Sequence, residues 1–302
     1  MTGAPAPDPV RALVRDAERE LARAGVASPR HDAEVLAAHA FGVPRSRLVL
    51  VDSRVAEAAR GRLCESVARR AAREPLQHVT GTAPFRRLEL QVGPGVLVPR
   101  PETELLVDAV LDCLKVTGVV APRVVDLGTG SGAIALAVAD ECPAAQVWAV
   151  EREEAALRWA ARNVAALKSD GALVAGAVTL IAGTVTLIAG DMADALPELD
   201  GSVDVVVSNP PYLSQSVLCD LSPEVRDFDP VNALVAGPDA LAAVRTVERV
   251  ARRLLRPGGL AVVEHGDDQG VAAPACFAAG WSAVADHADL NGRPRYLTAV
   301  HT

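Results

Sequence analysis

Val124-Val125-Asp126-Leu127-Gly128-Thr129-Gly130-Ser131-Gly132 decides how the rest of the chain is read. An apolar run interrupted by one acid ends in glycines at alternate positions and passes straight into a helical run, Ala133 to Asp140. From Arg123 onward strand and helix patterns alternate, the signature of a parallel, doubly wound α/β sheet. Glycines in such a turn let the backbone approach a ligand, and the helix start offers it free N–H groups. The spacing is not that of a dinucleotide turn, G-x-G-x-x-G, because the third glycine comes one position early.

The next strand, Gln146 to Val150, ends at Glu151. An acid at that edge, about twenty residues past the glycines, is placed to accept both ribose hydroxyl protons of a nucleoside. Glycine turn and acid together point to a nucleoside cofactor. After the helix Glu153 to Leu167, Val178-Thr179-Leu180-Ile181-Ala182-Gly183 recurs as Val185-Thr186-Leu187-Ile188-Ala189-Gly190. Only the second copy runs into Asp191-Met192, so it is assigned to the sheet and the first copy to an inserted loop. Asp191 stands where a strand-end acid reads an adenine amino group, and Met192 where it can pack on the ring. A helix from Asp239 to Leu255, a strand from Leu260 to Glu264 and a closing pair, Trp281 to Asp286 and Tyr296 to His301, complete the pattern.

A second stretch carries the chemistry. Ser208-Asn209-Pro210-Pro211-Tyr212 follows the run Val203 to Val207, apolar except for Asp204, which reads as a buried strand reaching its carboxyl edge. In open α/β sheets that edge is where ligands sit. Two prolines remove two backbone donors and fix two φ angles, leaving the carbonyls of Asn209 and Pro210 as rigid acceptors beside the Asn209 side-chain oxygen. This is a clamp for a substrate NH2 group, with Tyr212 as a flat wall. Amides and aryl amines are poor nucleophiles because the lone pair is delocalised; acceptors gripping both N–H bonds turn it toward an electrophile.

The totals bound the remaining possibilities. Half of the 302 residues are hydrophobic but only 3% aromatic, so the core is aliphatic. A net charge of −8 disfavours a broad nucleic-acid footprint. Cys64, Cys113, Cys142, Cys219 and Cys276 are scattered, with no metal or redox spacing, which fits buried thiols in a reducing cytosol and no metal site. Met1 to Val10 lacks the basic start and apolar core of a signal peptide. Gly171 to Gly190 is uncharged for a membrane-spanning length, but its glycines, its Val/Ile/Thr content and its place between strands of one sheet argue against a span. The expected division is a helical domain over residues 1–74, a β-hairpin linker over 75–101 and a catalytic domain over 102–302. Arg60, Arg62, Arg69, Arg70 and Arg73 make the last N-terminal helix basic, a candidate partner face. Pro99-Arg100-Pro101 stiffens a loop that can form part of a lid, and Glu102 or Thr103 can start the next helix.

Asp126 to Gly132, Glu151 and Asn209-Pro210-Pro211-Tyr212 together resemble the class I S-adenosylmethionine-dependent amino-methyltransferases. With Glu74-Pro75-Leu76-Gln77, Pro99-Arg100-Pro101-Glu102-Thr103-Glu104 and Asn291-Gly292-Arg293, the chain is more narrowly similar to the PrmC/HemK family over nearly its whole length. That resemblance implies a Rossmann-like, mostly parallel seven-stranded sheet with a small N-terminal helical bundle. It also implies methyl transfer from S-adenosylmethionine to the side-chain amide nitrogen of the glutamine in the Gly-Gly-Gln motif of peptide chain release factors. The cofactor contacts it suggests are Asp126, Gly128, Thr129, Gly130, Ser131, Gly132, Glu151, Asp191, Met192 and Asn209; Asn209, Pro210, Pro211 and Tyr212 would hold the glutamine. A cytoplasmic monomer with no membrane or stable nucleic-acid partner is expected. Two departures stand out: His78 lies where the family usually has an aromatic, and the duplicated segment is extra. The alternatives are an adenine-N6 nucleic-acid methyltransferase, which uses the same clamp but needs base flipping and phosphate contacts, and a ribosomal-protein glutamine methyltransferase. A cofactor-binding scaffold without activity is opposed by the intact clamp.

Overall fold

The structure, a computed structural model, describes residues 9–167, 184–237 and 239–302. It divides into two compact units, Met1–Thr82 with Ser222–Phe228 and Ala83–Leu221 with Asp229–Thr302. These differ from the sequence division at Glu74 and Pro101 in two ways. The first unit ends at Thr82, because the short helix after Glu74 buries Val79 in the first core. It also takes in Ser222–Phe228.

In the first unit, α1 (Pro9–Arg23), α2 (Pro29–Phe41), α3 (Ser53–Ala71) and α4 (Leu76–Thr80) surround an aliphatic core, and the short α8 (Pro223–Arg226) joins them without a buried residue of its own. On α1 the buried residues Val10, Val14, Ala17 and Leu21 fall three or four apart, one face of a helix. On α3, Asp52 caps the start by accepting from the Arg54 amide at 2.8 Å. Several of the arginines on and just after α3 have partners within the unit, while Arg60 stays exposed. Arg62 donates to the Ala40 carbonyl, Arg69 to Glu74, Arg70 to Asp32 at 2.8 Å and Glu224 at 2.9 Å, and Arg73 to Glu224 at 2.7 Å. Arg70 is buried, so its charge is neutralised inside the unit and unavailable to a partner.

The second unit opens with a two-stranded sheet, β1 (Thr82–Phe85) and β2 (Leu88–Gln91). It then builds a seven-stranded sheet from β3 (Arg123–Leu127), β4 (Gln146–Glu151), β5 (Thr184–Ala189), β6 (Val203–Ser208), β7 (Leu255–Glu264), β8 (Trp281–Ala288) and β9 (Pro294–His301). The order is β5-β4-β3-β6-β7-β9-β8, parallel from β5 to β7, with β9 antiparallel to both of its neighbours. The second copy of the duplication is therefore a sheet strand, β5, paired with β4; the first copy lies outside the described residues. Successive strand residues point to opposite faces. Val124, Val205 and Val207 pack with α5 (Glu104–Thr117), α6 (Ala133–Glu141) and α7 (Glu154–Ala166) on one side. Val125, Leu127 and Val206 pack with α10 (Ala242–Leu254) on the other, which follows the single-turn α9 (Val231–Leu234). Both faces are covered, which is why the strands read as nearly continuous apolar runs. Asp204, the exception in β6, is buried at the strand's start, accepting from the Arg123 amide at 2.8 Å and Arg256 Nε at 2.7 Å. Among the described residues no helix is long and apolar enough to cross a membrane.

Candidate active site

Strand register assembles the site. Leu127 of β3 is level with Val150 of β4, Glu151 with Ala189 of β5, Asp126 with Val207 of β6, and Ser208 with Val263 of β7. One residue further on, the glycine turn, Glu151, Asn209 and Glu264 all emerge at the same edge, and Asp191 follows β5 two residues past its end. The chain steps outward from β3 to β4 and β5 and then returns to place β6 on the other side of β3, so this edge is a topological switch point. The Ser208 hydroxyl donates to the Leu127 carbonyl at 2.6 Å and locks the two strand ends together.

A cavity of about 560 Å³ opens there. That size falls in the range of cofactor sites, roughly 300–1,000 Å³. Gly128, Thr129, Gly130, Ser131, Glu151, Asp191, Met192, Asn209 and Pro211 line it, with Pro99, Arg100 and Thr103 from the loop before α5. Four of the expected residues take other places. Asp126 is completely buried; its carboxylate accepts from the Thr129 hydroxyl at 2.5 Å and the Ala135 amide at 3.2 Å, holding the turn against α6 from beneath. Gly132 supports packing: a Cβ there would sit 3.1 Å from Leu136 Cδ1. Tyr212 and the buried Pro210 lie off the cavity wall.

The turn is shaped to receive a ligand. Gly128, Gly130 and Gly132 all have positive φ, which side chains resist, and a Cβ at Gly128 or Gly130 would meet nothing within 4 Å. Beside it Glu151 accepts from the Gly130 amide at 2.9 Å through Oε2 and from the Glu153 amide at 2.8 Å through Oε1. Each oxygen keeps a further lone pair for a hydroxyl donor. Asp191 is exposed at its strand end, with Oδ1 accepting from the Ala193 amide; Met192 is half-buried. Open turn, carboxylate and strand-end acid fit a nucleoside-bearing cofactor.

The residues read from the sequence as a clamp lie at the same edge. Among the described residues no donor reaches the Asn209 or Pro210 carbonyl. Asn209 Nδ2 donates to Thr103 Oγ1 at 3.0 Å, and Thr103 Oγ1 donates to Glu264 Oε2 at 2.7 Å. The Tyr212 hydroxyl lies 3.5 Å from Glu264 Oε1, and Gln269 Nε2 donates to the Tyr212 carbonyl at 3.0 Å. Burial, followed by the neighbouring Glu264, pushes the Tyr212 phenol up, so it stays protonated. Thr103, Glu264 and Gln269 went unrecognised in the sequence as parts of the clamp. So did Asn163, whose Nδ2 donates to the Ser131 carbonyl at 2.9 Å and steadies the glycine turn from α7.

Burial pushes two carboxyls, Asp126 and Glu264, up to about 7. The folded chain therefore holds these protons more tightly than the unfolded chain, so their contribution to stability is complete below the ordinary carboxyl range and is lost as pH rises toward 7. Melting temperature measured from pH 5 to 8 is expected to fall less steeply in Glu264→Gln than in wild type; parallel curves would refute that assignment.

Comparison with known proteins shows what the chain is similar to. A PrmC N-terminal domain model matches residues 12–81 and a methyltransferase small domain model residues 102–221. The chain is similar to a release factor glutamine methyltransferase of Streptomyces coelicolor, 51% identical across 95% of this chain and 96% of that one. It is similar also to a release factor glutamine methyltransferase of Mycolicibacterium smegmatis, 46% identical across 96% and 97%. Among solved structures, the T. thermophilus 16S rRNA N2 G1207 methyltransferase in complex with AdoMet and guanosine superposes with a TM-score of 0.51 at 22% identity. That likeness covers 73% of this chain and 50% of the other, and shows the fold alone.

Proposed function

This chain belongs to the release factor glutamine methyltransferase family, and from that premise we propose that it moves a methyl group from S-adenosylmethionine to a release-factor glutamine, at the side-chain amide nitrogen of the Gly-Gly-Gln motif. The observation that carries the residue assignment is the convergence, on one sheet edge, of an open glycine turn, Glu151 and two unengaged carbonyls beside the Asn209 amide.

S-adenosylmethionine supplies, when bound, an electrophilic methyl group on a sulfonium. Gly128 to Ser131 would cradle it, Glu151 would accept from its ribose hydroxyls, and Asp191 and Met192 would take the adenine end. Asn209 and Pro210 grip the two N–H bonds of the glutamine amide, which aligns the nitrogen lone pair with the methyl carbon and favours the charge that develops on nitrogen. The amide nitrogen becomes acidic once methylated, so its proton leaves to solvent and no general base is required of the chain.

Glu151→Ala is expected to raise the cofactor Kd by about 10- to 100-fold, the loss of hydrogen bonds to a charged acceptor. Turnover at saturating cofactor should change little. Isothermal titration with S-adenosylmethionine and initial rates at two cofactor concentrations separate these effects; an unchanged Kd refutes the ribose assignment.

The function is tested with labelled S-adenosylmethionine offered to a purified release factor, its Gly-Gly-Gln Gln→Ala mutant, ribosomal protein and duplex DNA. Label on the wild-type factor but not on its mutant is the expected result. Label only on DNA would preserve the clamp chemistry and overturn the substrate.

A further inference from the structure

We propose that Thr103 and Glu264 are positioning residues that fix which end of the Asn209 side-chain amide faces the substrate. The inference rests on the reading of Asn209 as the residue that grips the substrate amide. A carboxamide has an acceptor end and a donor end of nearly the same shape, and a half-turn about its last torsion exchanges them. The clamp works in only one orientation. Oδ1 toward the substrate accepts an N–H; Nδ2 toward the substrate sets donor against donor.

The chain settles this by proton counting. With Glu264 ionised, Thr103 Oγ1 donates its single proton to Glu264 Oε2 at 2.7 Å. Toward Asn209, 3.0 Å away, it can offer only a lone pair, so Asn209 must present Nδ2 there and Oδ1 on the other side. Both relay residues are buried, Thr103 at 4% and Glu264 at 1% exposure, so water has little access to replace either partner. A second observation supports the same assignment. Thr103 occupies the cap position of α5, where a threonine hydroxyl ordinarily bonds a first-turn amide, yet it makes no such bond. Its hydroxyl is committed to the relay instead. Glu264 also lies beside the Tyr212 hydroxyl, so the first and last residues of the clamp are referenced to one carboxylate.

The test uses the full chain and the release-factor assay. Thr103→Val keeps the shape and removes the hydroxyl; it should lower kcat by about 10- to 100-fold, as when one fixed transition-state contact is misaligned, with KM for the factor and cofactor Kd nearly unchanged. Thr103→Ser should restore most of the rate. In an Asn209→Ala background Thr103→Val should change kcat no further, because the residue it orients is gone; a comparable extra loss would mean a general structural role and overturn the relay. If Thr103→Val fails to fold, Glu264→Gln takes its place in the same cycle, since a glutamine can turn an N–H toward Thr103.

A readout without turnover separates failure of the relay from failure of the proposed function. With 15N-asparagine labelling, the side-chain NH2 signal assigned by its loss in Asn209→Ala should exchange slowly in wild type and faster in Thr103→Val. Equal exchange overturns the relay whatever the enzyme methylates. Absence of label on the release factor overturns the functional reading alone.

Discussion

Asn209→Ala is expected to reduce methyl transfer by about 10²- to 10³-fold, roughly 3–4 kcal/mol of transition-state stabilisation, by analogy with removal of one oxyanion-hole contact. The loss should appear in kcat with cofactor Kd within a few-fold of wild type. Asn209 stands at the end of β6 with its amide nitrogen spent on Thr103 and its oxygen left for the substrate. Only as the nitrogen lone pair is drawn toward the methyl carbon does positive charge grow on the N–H groups, so the contact is stronger in the transition state than in the bound complex. Asn209→Asp is the instructive companion: a carboxylate keeps the acceptor but faces Thr103 with a second oxygen where a donor stood. Single-turnover rates with preloaded cofactor measure the step directly. Wild-type turnover in Asn209→Ala would remove the clamp from the mechanism.

Arg70→Ala should destabilise the first unit by about 3–5 kcal/mol, the cost of leaving one partner of a buried ion pair alone. Arg70 and Asp32 side chains are only 7% and 8% exposed, and the same guanidinium reaches Glu224. Removing it strands the Asp32 carboxylate where water cannot solvate it. Arg70→Met with Asp32→Leu removes both charges and should recover much of the loss. Denaturant unfolding followed by far-UV circular dichroism reads the difference; a change below about 1 kcal/mol, the scale of an exposed pair, would refute the buried-pair account. An acid limb follows too. Although burial opposes it, hydrogen bonds from Arg73 and Arg70 hold Glu224 down at about 2. Its contribution is present above the ordinary carboxylate range and disappears as pH falls toward 2.

Much of the site was legible because strand ends announce themselves. A largely apolar run that stops at Gly128, Glu151, Asp191 or Asn209 implies a sheet edge, and parallel strands bring their ends to the same side. What the linear chain concealed were contacts between residues far apart in number. Thr103 looks like a helix cap, and nothing around it indicates that its hydroxyl is taken by Glu264, 161 positions later. Glu264 itself reads as the polar end of an apolar strand. Asp126, a cofactor contact only by resemblance, has its side chain turned inward toward Thr129 and Ala135 by the pleat, which the linear chain does not show. The basic helix concealed similar contacts. Its arginines form a charged run in sequence, but the partners of Arg62, Arg69 and Arg70 come from α2, from the segment after α3 and from residue 224.

The return of Ser222–Phe228 to the first unit also sets an order of events during synthesis. Arg70 and Glu224 are 154 residues apart, so a nascent chain emerging from the ribosome carries α1 to α4 and most of the seven-stranded sheet before Glu224 is made. Until then Arg73 lacks this carboxylate, and Arg70 has Asp32 and the Glu74 carbonyl but not Glu224. The N-terminal helices can collapse early through local contacts, but their final electrostatic closure waits for the loop that follows the clamp. Completion of the first-made part of the molecule is thereby a late event, timed by the length of chain between an arginine and its glutamate.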